Sequence, residues 1–121
     1  MKAARLAATV LTLALFPVAN AVASEEAGEK IFKKQCSKCH TLEPGKHLVG
    51  PSLANIFGKQ AGTSDFKRYK GLKDTDIVWD EENLHGWLEN PKKFLGKKTS
   101  MNNKIKKAED RDAVIEFLKT N

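Results

Sequence analysis

The 121 residues hold only two cysteines, two methionines and one tyrosine. Both cysteines, Cys36 and Cys39, fall in one short stretch, "KKQCSKCHTL". This scarcity argues against a disulfide framework, since one bridge across two residues closes a tiny loop and removes little chain entropy. It also argues against structural zinc, which wants four ligands. Only His40, His47 and His85 remain to complete such a set, and none has zinc-finger spacing. No segment alternates apolar and polar residues as a strand does, so the βαβ pattern around a redox dithiol is missing. Internal repeats and low-complexity tracts are also missing beyond the N-terminal segment. No apolar run reaches the ~20 residues that a membrane span needs.

The longest apolar run, residues 6–18, follows the basic residues Lys2 and Arg5. It leads into "ANAVAS", with small residues at the −3 and −1 positions of a cleavage site. Residues 1–23 therefore read as a cleaved signal peptide. Cleavage after Ala23 is preferred to cleavage after Ala21, and an uncleaved anchor is the rival reading. One domain over residues 24–121 is left, 98 residues long, and losing Lys2 and Arg5 lowers the net charge from +6 to +4. A chain of this size buries only about two thirds of its unfolded surface. A large apolar cofactor would help it fold far more than a short disulfide loop.

Three helical patterns stand out. The first covers 25–38, with an acidic start and Ala27, Ile31 and Phe32 on one side. The second covers 80–90, with Asp80 as N-cap and Leu84, Trp87 and Leu88 at i, i+3, i+4. Pro91 disfavours helix at Asn90 and ends it. The third covers 108–120, with Val114, Phe117 and Leu118 repeating that spacing behind an acidic first turn. A short fourth helix is expected over "SLANIFGK", residues 52–59, closed by Gly58. The long loops between these pieces suit a small domain only if they wrap a ligand.

The pattern C-x-x-C-H reads as covalent attachment of c-type haem. Two thiols at this spacing reach the two vinyl groups on one porphyrin edge and add across them as thioethers. The next residue, His40, then lies under the iron and ligates it through a ring nitrogen. A redox dithiol and half a zinc site are the alternatives. For the opposite face of the iron, Met101 is the one methionine after residue 23, in a polar loop that makes poor core. A thioether there stabilises ferrous iron and closes the sixth position. His47 and His85 are the other candidates, although His85 lies off the apolar stripe of its helix and reads as solvated.

These residues carry a family resemblance over nearly all of residues 24–121. "GEKIFKKQCSKCHTL", "KHLVGPSLANIFGKQAG", "IVW", "LENPKKF", "TSM" and "RDAVIEFLKT" together resemble the class I c-type cytochromes. The resemblance implies an all-α, small cytochrome c fold, with three main helices, a short one and long loops around one covalently bound haem c. It implies thioethers at Cys36 and Cys39 and axial ligation by His40 and Met101. It further implies a Pro51 carbonyl that accepts from the His40 ring, and a Trp79 that bonds a propionate, with Thr99 a second candidate. Gly28 and Phe32 would cross the last helix near Val114 and Phe117. Leu53, Ile56, Leu84 and Leu88 would line the haem pocket, and His47 would tie its loop together.

Some positions depart from the family pattern. Trp87 stands where a tyrosine near the methionine is common, which alters hydrogen bonding to the Met101 sulfur. "GKK" replaces the usual Pro-Gly before Thr-x-Met, in a segment one residue longer than in the mitochondrial proteins. Lys59 stands where an arginine often meets a propionate. Either Arg68 or Tyr69 could serve as a displaced propionate ligand.

Seven lysines and no acid lie between residues 92 and 107, while six acids and no lysine or arginine lie between 74 and 89. On this fold Lys33, Lys34, Lys38, Lys92, Lys93, Lys97 and Lys98 would ring the exposed haem edge and steer acidic redox partners. A lysine face that is merely solvated is the bland alternative. The expected function is a monomeric periplasmic electron carrier, not an enzyme. It would shuttle one electron from a quinol-oxidising reductase or a dehydrogenase to an oxidase, peroxidase or photosynthetic reaction centre. Its contacts would be transient and salt-sensitive, with membranes met only through partner complexes and no nucleic acid. The rivals are a haem-based gas sensor with a labile Met101 and a haem subunit of a larger oxidoreductase.

Overall fold

The computed structural model describes residues 2–15 and 19–121. The signal-peptide reading falls partly on residues 1 and 16–18, outside the described residues. Residues 2–15 have no regular structure, and their leucines stand in solvent.

Helix α1 spans Ala19–Ile31 and continues as a single π turn over Phe32–Cys36. It begins earlier than residue 25 because the alanines before Ser24 are strong helix formers. It does not run on as α-helix to residue 38. Instead Ser37 N–H bonds Phe32 O at 2.9 Å, five residues back, which widens the last turn. Phe32 and Cys36 face inward on that turn.

Helix α2 spans Glu81–Glu89, with Asp80 accepting from the Asn83 amide at 2.8 Å as the expected N-cap. Its stripe of Leu84, Trp87 and Leu88 is buried. Pro91 does end α2, but it also opens a second short helix, α3, Pro91–Leu95. Asn90 is extended and its side chain accepts from the Lys93 amide at 3.1 Å, so one residue closes α2 and caps α3. Gly96 ends α3 at φ 72°, a conformation that suits glycine. Helix α4 spans Ala108–Lys119 and buries Val114, Ile115, Phe117 and Leu118.

The short helix expected over 52–59 does not form; the short helix of this fold is α3. Polar side chains outcompete the helix there. The Ser52 amide bonds the His47 ring, the Ala54 amide bonds Ser52 Oγ, and Asn55 turns to φ 53°. The chain then makes two successive tight turns, closed by Ile56 N–H to Leu53 O and by Lys59 N–H to Ile56 O. Residues 60–78 form a loop closed by one isolated bridge, Gln60 to Val78, and by the Trp79 amide on Lys59 O. The described residues are helical with no strand, and no helix among them is long and apolar enough to cross a membrane.

The frame is the crossing of α1 and α4. A Cβ on Gly28 would overlap the Ala113 carbonyl oxygen and lie 2.7 Å from Phe117 Cβ. Only a glycine permits that approach. One turn on, the Phe32 and Phe117 rings pack at 5.6 Å between centroids. Gly28→Ala should therefore destabilise the protein by about 2 kcal/mol or more, the cost of overpacking against backbone that cannot step aside. Denaturant unfolding measures this, and a change within ~0.5 kcal/mol, the range of ordinary surface substitutions, would refute the contact.

Candidate functional site

The π turn hands the chain to the C-x-x-C-H segment in a defined orientation. Cys36 is buried, Cys39 is exposed, and both are free thiols. Burial pushes the Cys36 thiol up to about 11, with Cys39 adding to the rise. The amides of Cys39 and His40 both bond Cys36 O, at 3.1 and 3.0 Å, so the three residues form one tight turn.

The His40 ring is held on one side. Its Nδ1 lies 2.6 Å from Pro51 O. A carbonyl only accepts, so Nδ1 carries the proton and the neutral ring keeps its lone pair on Nε2. Burial pushes the ring below the ordinary histidine value, while the bond to Pro51 opposes the shift. Burial thus favours the neutral form, which is the form that can bind a metal. Gly50 makes the contact possible, because a Cβ there would run into the His40 ring, 2.9 Å from Nδ1. The Gly50 amide also bonds Cys39 O at 2.8 Å and ties the loop to the cysteine turn. Sequence reasoning does not single out Gly50; its place directly before Pro51 is the available signal.

Met101 lies in the irregular segment after Gly96, partly buried against the core. The Trp87 indole N–H donates to its sulfur at 3.2 Å. The departure at position 87 thus has a defined effect: the indole does the donating there. Thr99 spends its proton on Met101 O at 2.8 Å. Its oxygen can still accept, but its donor is committed to the loop.

Trp79 is 5 % exposed and packs at 5.5 Å on Trp87 and 6.5 Å on Phe94. Its Nε1–H meets no acceptor among the described residues. No fully buried side-chain polar atom among them lacks a partner, so that N–H is not sealed inside the core. Leu84 and Leu88 are buried, and Leu53 and Ile56 pack against the same cluster. Free thiols, an imidazole with Nε2 to spare, a thioether and an unclaimed indole N–H around an apolar cluster fit a covalently attached haem c. Cys36 and Cys39 would hold it covalently, His40 and Met101 would ligate its iron, and Trp79 would meet a propionate.

Both displaced propionate candidates are engaged elsewhere. Arg68 donates to Leu48 O and lies over the Phe66 ring, while the Tyr69 hydroxyl pairs with Ser64. Lys59 donates to Ala54 O at 3.2 Å. His47 ties its loop as expected: it accepts from the Ser52 amide and its Nε2 lies 2.6 Å from Asp65. His85 is not simply solvated, since it lies 2.7 Å from Asp112 on α4. The lysines at 33, 34, 38, 92, 93, 97 and 98 are all exposed, and Lys33 pairs with Glu29 at 2.8 Å.

Comparison with known proteins agrees with this geometry. Residues 25–121 match the family model described as "Cytochrome c". The chain is 38 % identical over 96 residues to cytochrome c of Ginkgo biloba, covering 78 % of this chain and 85 % of that protein. It is 39 % identical over 99 residues to cytochrome c2 of Afifella marina, covering 78 % of this chain and 79 % of that one. The solved structure of cytochrome c2 from Rhodospirillum centenum superposes with a TM-score of 0.72 at 30 % identity, covering 79 % of this chain and 96 % of that chain.

The His47–Asp65 clasp generates a pH prediction. The hydrogen bond donated by His47 holds the Asp65 carboxyl below the usual carboxylate range. A depressed carboxylate contributes stability above its unfolded value, and that contribution is lost as pH falls through the folded value. Asp65→Asn should lower the melting temperature slightly at neutral pH and flatten its fall on the acid side. Thermal melts across that range check this; parallel curves for the two proteins would contradict it.

Proposed function

We propose that this protein is an exported one-electron shuttle, from a plain premise: the chain belongs to the cytochrome c family, carries one covalently attached haem c and is an electron carrier. The haem supplies the ferric/ferrous couple. The observation that carries the reading is the pair of prepared ligands, His40 with Nε2 free and Met101 with its sulfur held by Trp87.

On this reading Cys36 and Cys39 fix the cofactor by thioethers and His40 Nε2 binds the iron. The Pro51 carbonyl orients the ring and strengthens it as a donor. Met101 fills the opposite position and keeps small oxidants out, which suits transfer of an electron rather than catalysis on a bound molecule. The protein is thus proposed to be no enzyme in its own right. Leaving the hydrophobic N-terminal residues as a signal peptide would place residues 24–121 in the periplasm. The solvent exposure of the leucines in residues 2–15 supports this, since they add nothing to the core.

The exposed lysines at 33, 34, 38, 92, 93, 97 and 98 form the proposed docking face. Acidic reductases or dehydrogenases would load the carrier there, and an oxidase, peroxidase or reaction centre would unload it. Attraction between unlike surface charges raises the encounter rate and fades as salt screens it.

A redox titration of the purified holoprotein tests the carrier reading; a reversible one-electron couple is expected, and its absence would overturn it. Met101→Ala should abolish the ferric iron–sulfur charge-transfer band and lower the potential. An unchanged spectrum would refute that ligand. Replacing Lys92, Lys93, Lys97 and Lys98 with Glu should slow reduction of an acidic oxidase about tenfold or more at low salt, within the range that charge steering supplies. Stopped-flow rates equal to wild type would remove those lysines from the docking face.

A further inference from the structure

Among the described residues Arg111 is the one buried charged side chain, 9 % exposed. Among the described residues it has no carboxylate within ion-pair distance. Its Nη1 instead donates to two loop carbonyls, Ile105 O at 2.8 Å and Lys106 O at 2.9 Å. Its Nε reaches His85 Nδ1 at 3.4 Å, a long contact. On the far side of that ring, His85 Nε2 lies 2.7 Å from Asp112 Oδ1. The bond from Arg111 makes Nδ1 the acceptor, so Nε2 carries the ring proton beside the Asp112 carboxylate, an electrostatic contact. Asp112, His85 and Arg111 form a relay from α4 to α2 and back.

The relay ends on the Met101 segment. Four residues after Met101, the Ile105 amide bonds Leu88 O at 2.8 Å while its carbonyl takes the Arg111 bond. Ile105 is 2 % exposed. The trailing end of the segment is therefore staked by α2 backbone on one side and by an α4 side chain on the other. The leading end is held by Gly96 and by the Thr99 bond to Met101 O. Between these stakes the chain has no regular structure. How firmly the sulfur is presented depends on the two ends.

We propose that His85 is a positioning residue for Met101: by bridging Asp112 to Arg111 it orients the guanidinium that fixes the trailing end of the methionine segment. The proposal rests on the reading that Met101 ligates the haem iron. A guanidinium without the ring acceptor loses one of its three anchors. It then holds the 105–106 carbonyls less firmly, and a competing ligand displaces the sulfur more easily.

Imidazole titration of the ferric holoprotein, followed by loss of the iron–sulfur charge-transfer band, reads this directly. His85→Ala should bind imidazole about fivefold more tightly than wild type, the equilibrium effect of one net hydrogen bond. Arg111→Met should loosen the ligand at least as much, and the double variant should add nothing to Arg111→Met, as members of one relay do. His85→Gln should restore wild-type affinity, because its amide can donate to Asp112 while its oxygen accepts from Arg111. Val114→Ala, a core truncation away from the relay, should lower stability without tightening imidazole binding. Wild-type affinity in His85→Ala, or a Gln variant as loose as Ala, would overturn the relay while leaving Met101 as ligand. A wild-type protein without the charge-transfer band would overturn Met101 ligation itself, and this proposal with it.

Discussion

The contact between Gly28 and the backbone of α4 is the constraint on which the rest of the fold depends. Two helices far apart in sequence approach so closely that the Ala113 carbonyl occupies the place of a side chain. That approach aligns Phe32 with Phe117 and sets the position of the residues after them. The π turn starts from Phe32, so the wide turn that points Cys36 inward begins at a fixed place. The C-x-x-C-H segment is thus presented by tertiary packing. An isolated helix of this length would be marginal in water and could not hold that geometry alone.

Beyond that crossing the chain is mostly loop, and loops carry backbone groups that no sheet satisfies. Side chains do that work here. His47 joins Ser52 to Asp65, Ser52 Oγ donates to Glu43 O, and Arg111 serves two carbonyls at once. No buried side-chain N or O among the described residues is left unpaired. The two histidines outside the C-x-x-C-H motif therefore share a task. Each lies against a surface aspartate by one nitrogen and uses the other to accept a hydrogen bond, His47 from the Ser52 amide and His85 from Arg111. His47 acts on the loop that reaches Pro51, and His85 on the end of the segment that carries Met101.

Much of this is legible in the sequence wherever local rules and tertiary packing agree. Asp80 before two glutamates marks a helix start, and the Leu84, Trp87, Leu88 spacing marks its buried face. The cysteine spacing names the cofactor chemistry because few other uses fit two thiols and an adjacent imidazole. The failures have particular causes. Residues 52–59 read as a short helix closed by Gly58, but Ser52 bonds the Ala54 amide and Asn55 turns to a positive φ. Pro91 reads as a stop, while a proline at a helix's first position is also a start. His85 lies off its helix's apolar stripe, and only the placement of α4 shows that it faces Arg111. The one sequence sign is the arginine itself, set among Glu109, Asp110 and Asp112 in a helix's first turn, where the dipole disfavours a cation.

The tryptophan at position 87 joins these threads. Its ring is locked between Trp79 and Phe94, at 5.5 and 6.3 Å between centroids. Its N–H therefore has little freedom to leave the Met101 sulfur. A hydroxyl at this place could rotate and accept; an indole can only donate. A donor that cannot turn away draws density from the thioether in both oxidation states. On the proposed ligation, the ferric iron loses more by a weaker donor than the ferrous iron does, so the bond favours the reduced carrier. The same bond holds the sulfur in place through the core, while Arg111 holds the segment from its trailing end. A longer methionine segment without Pro-Gly is thus restrained at the sulfur and at Ile105 rather than by its own backbone.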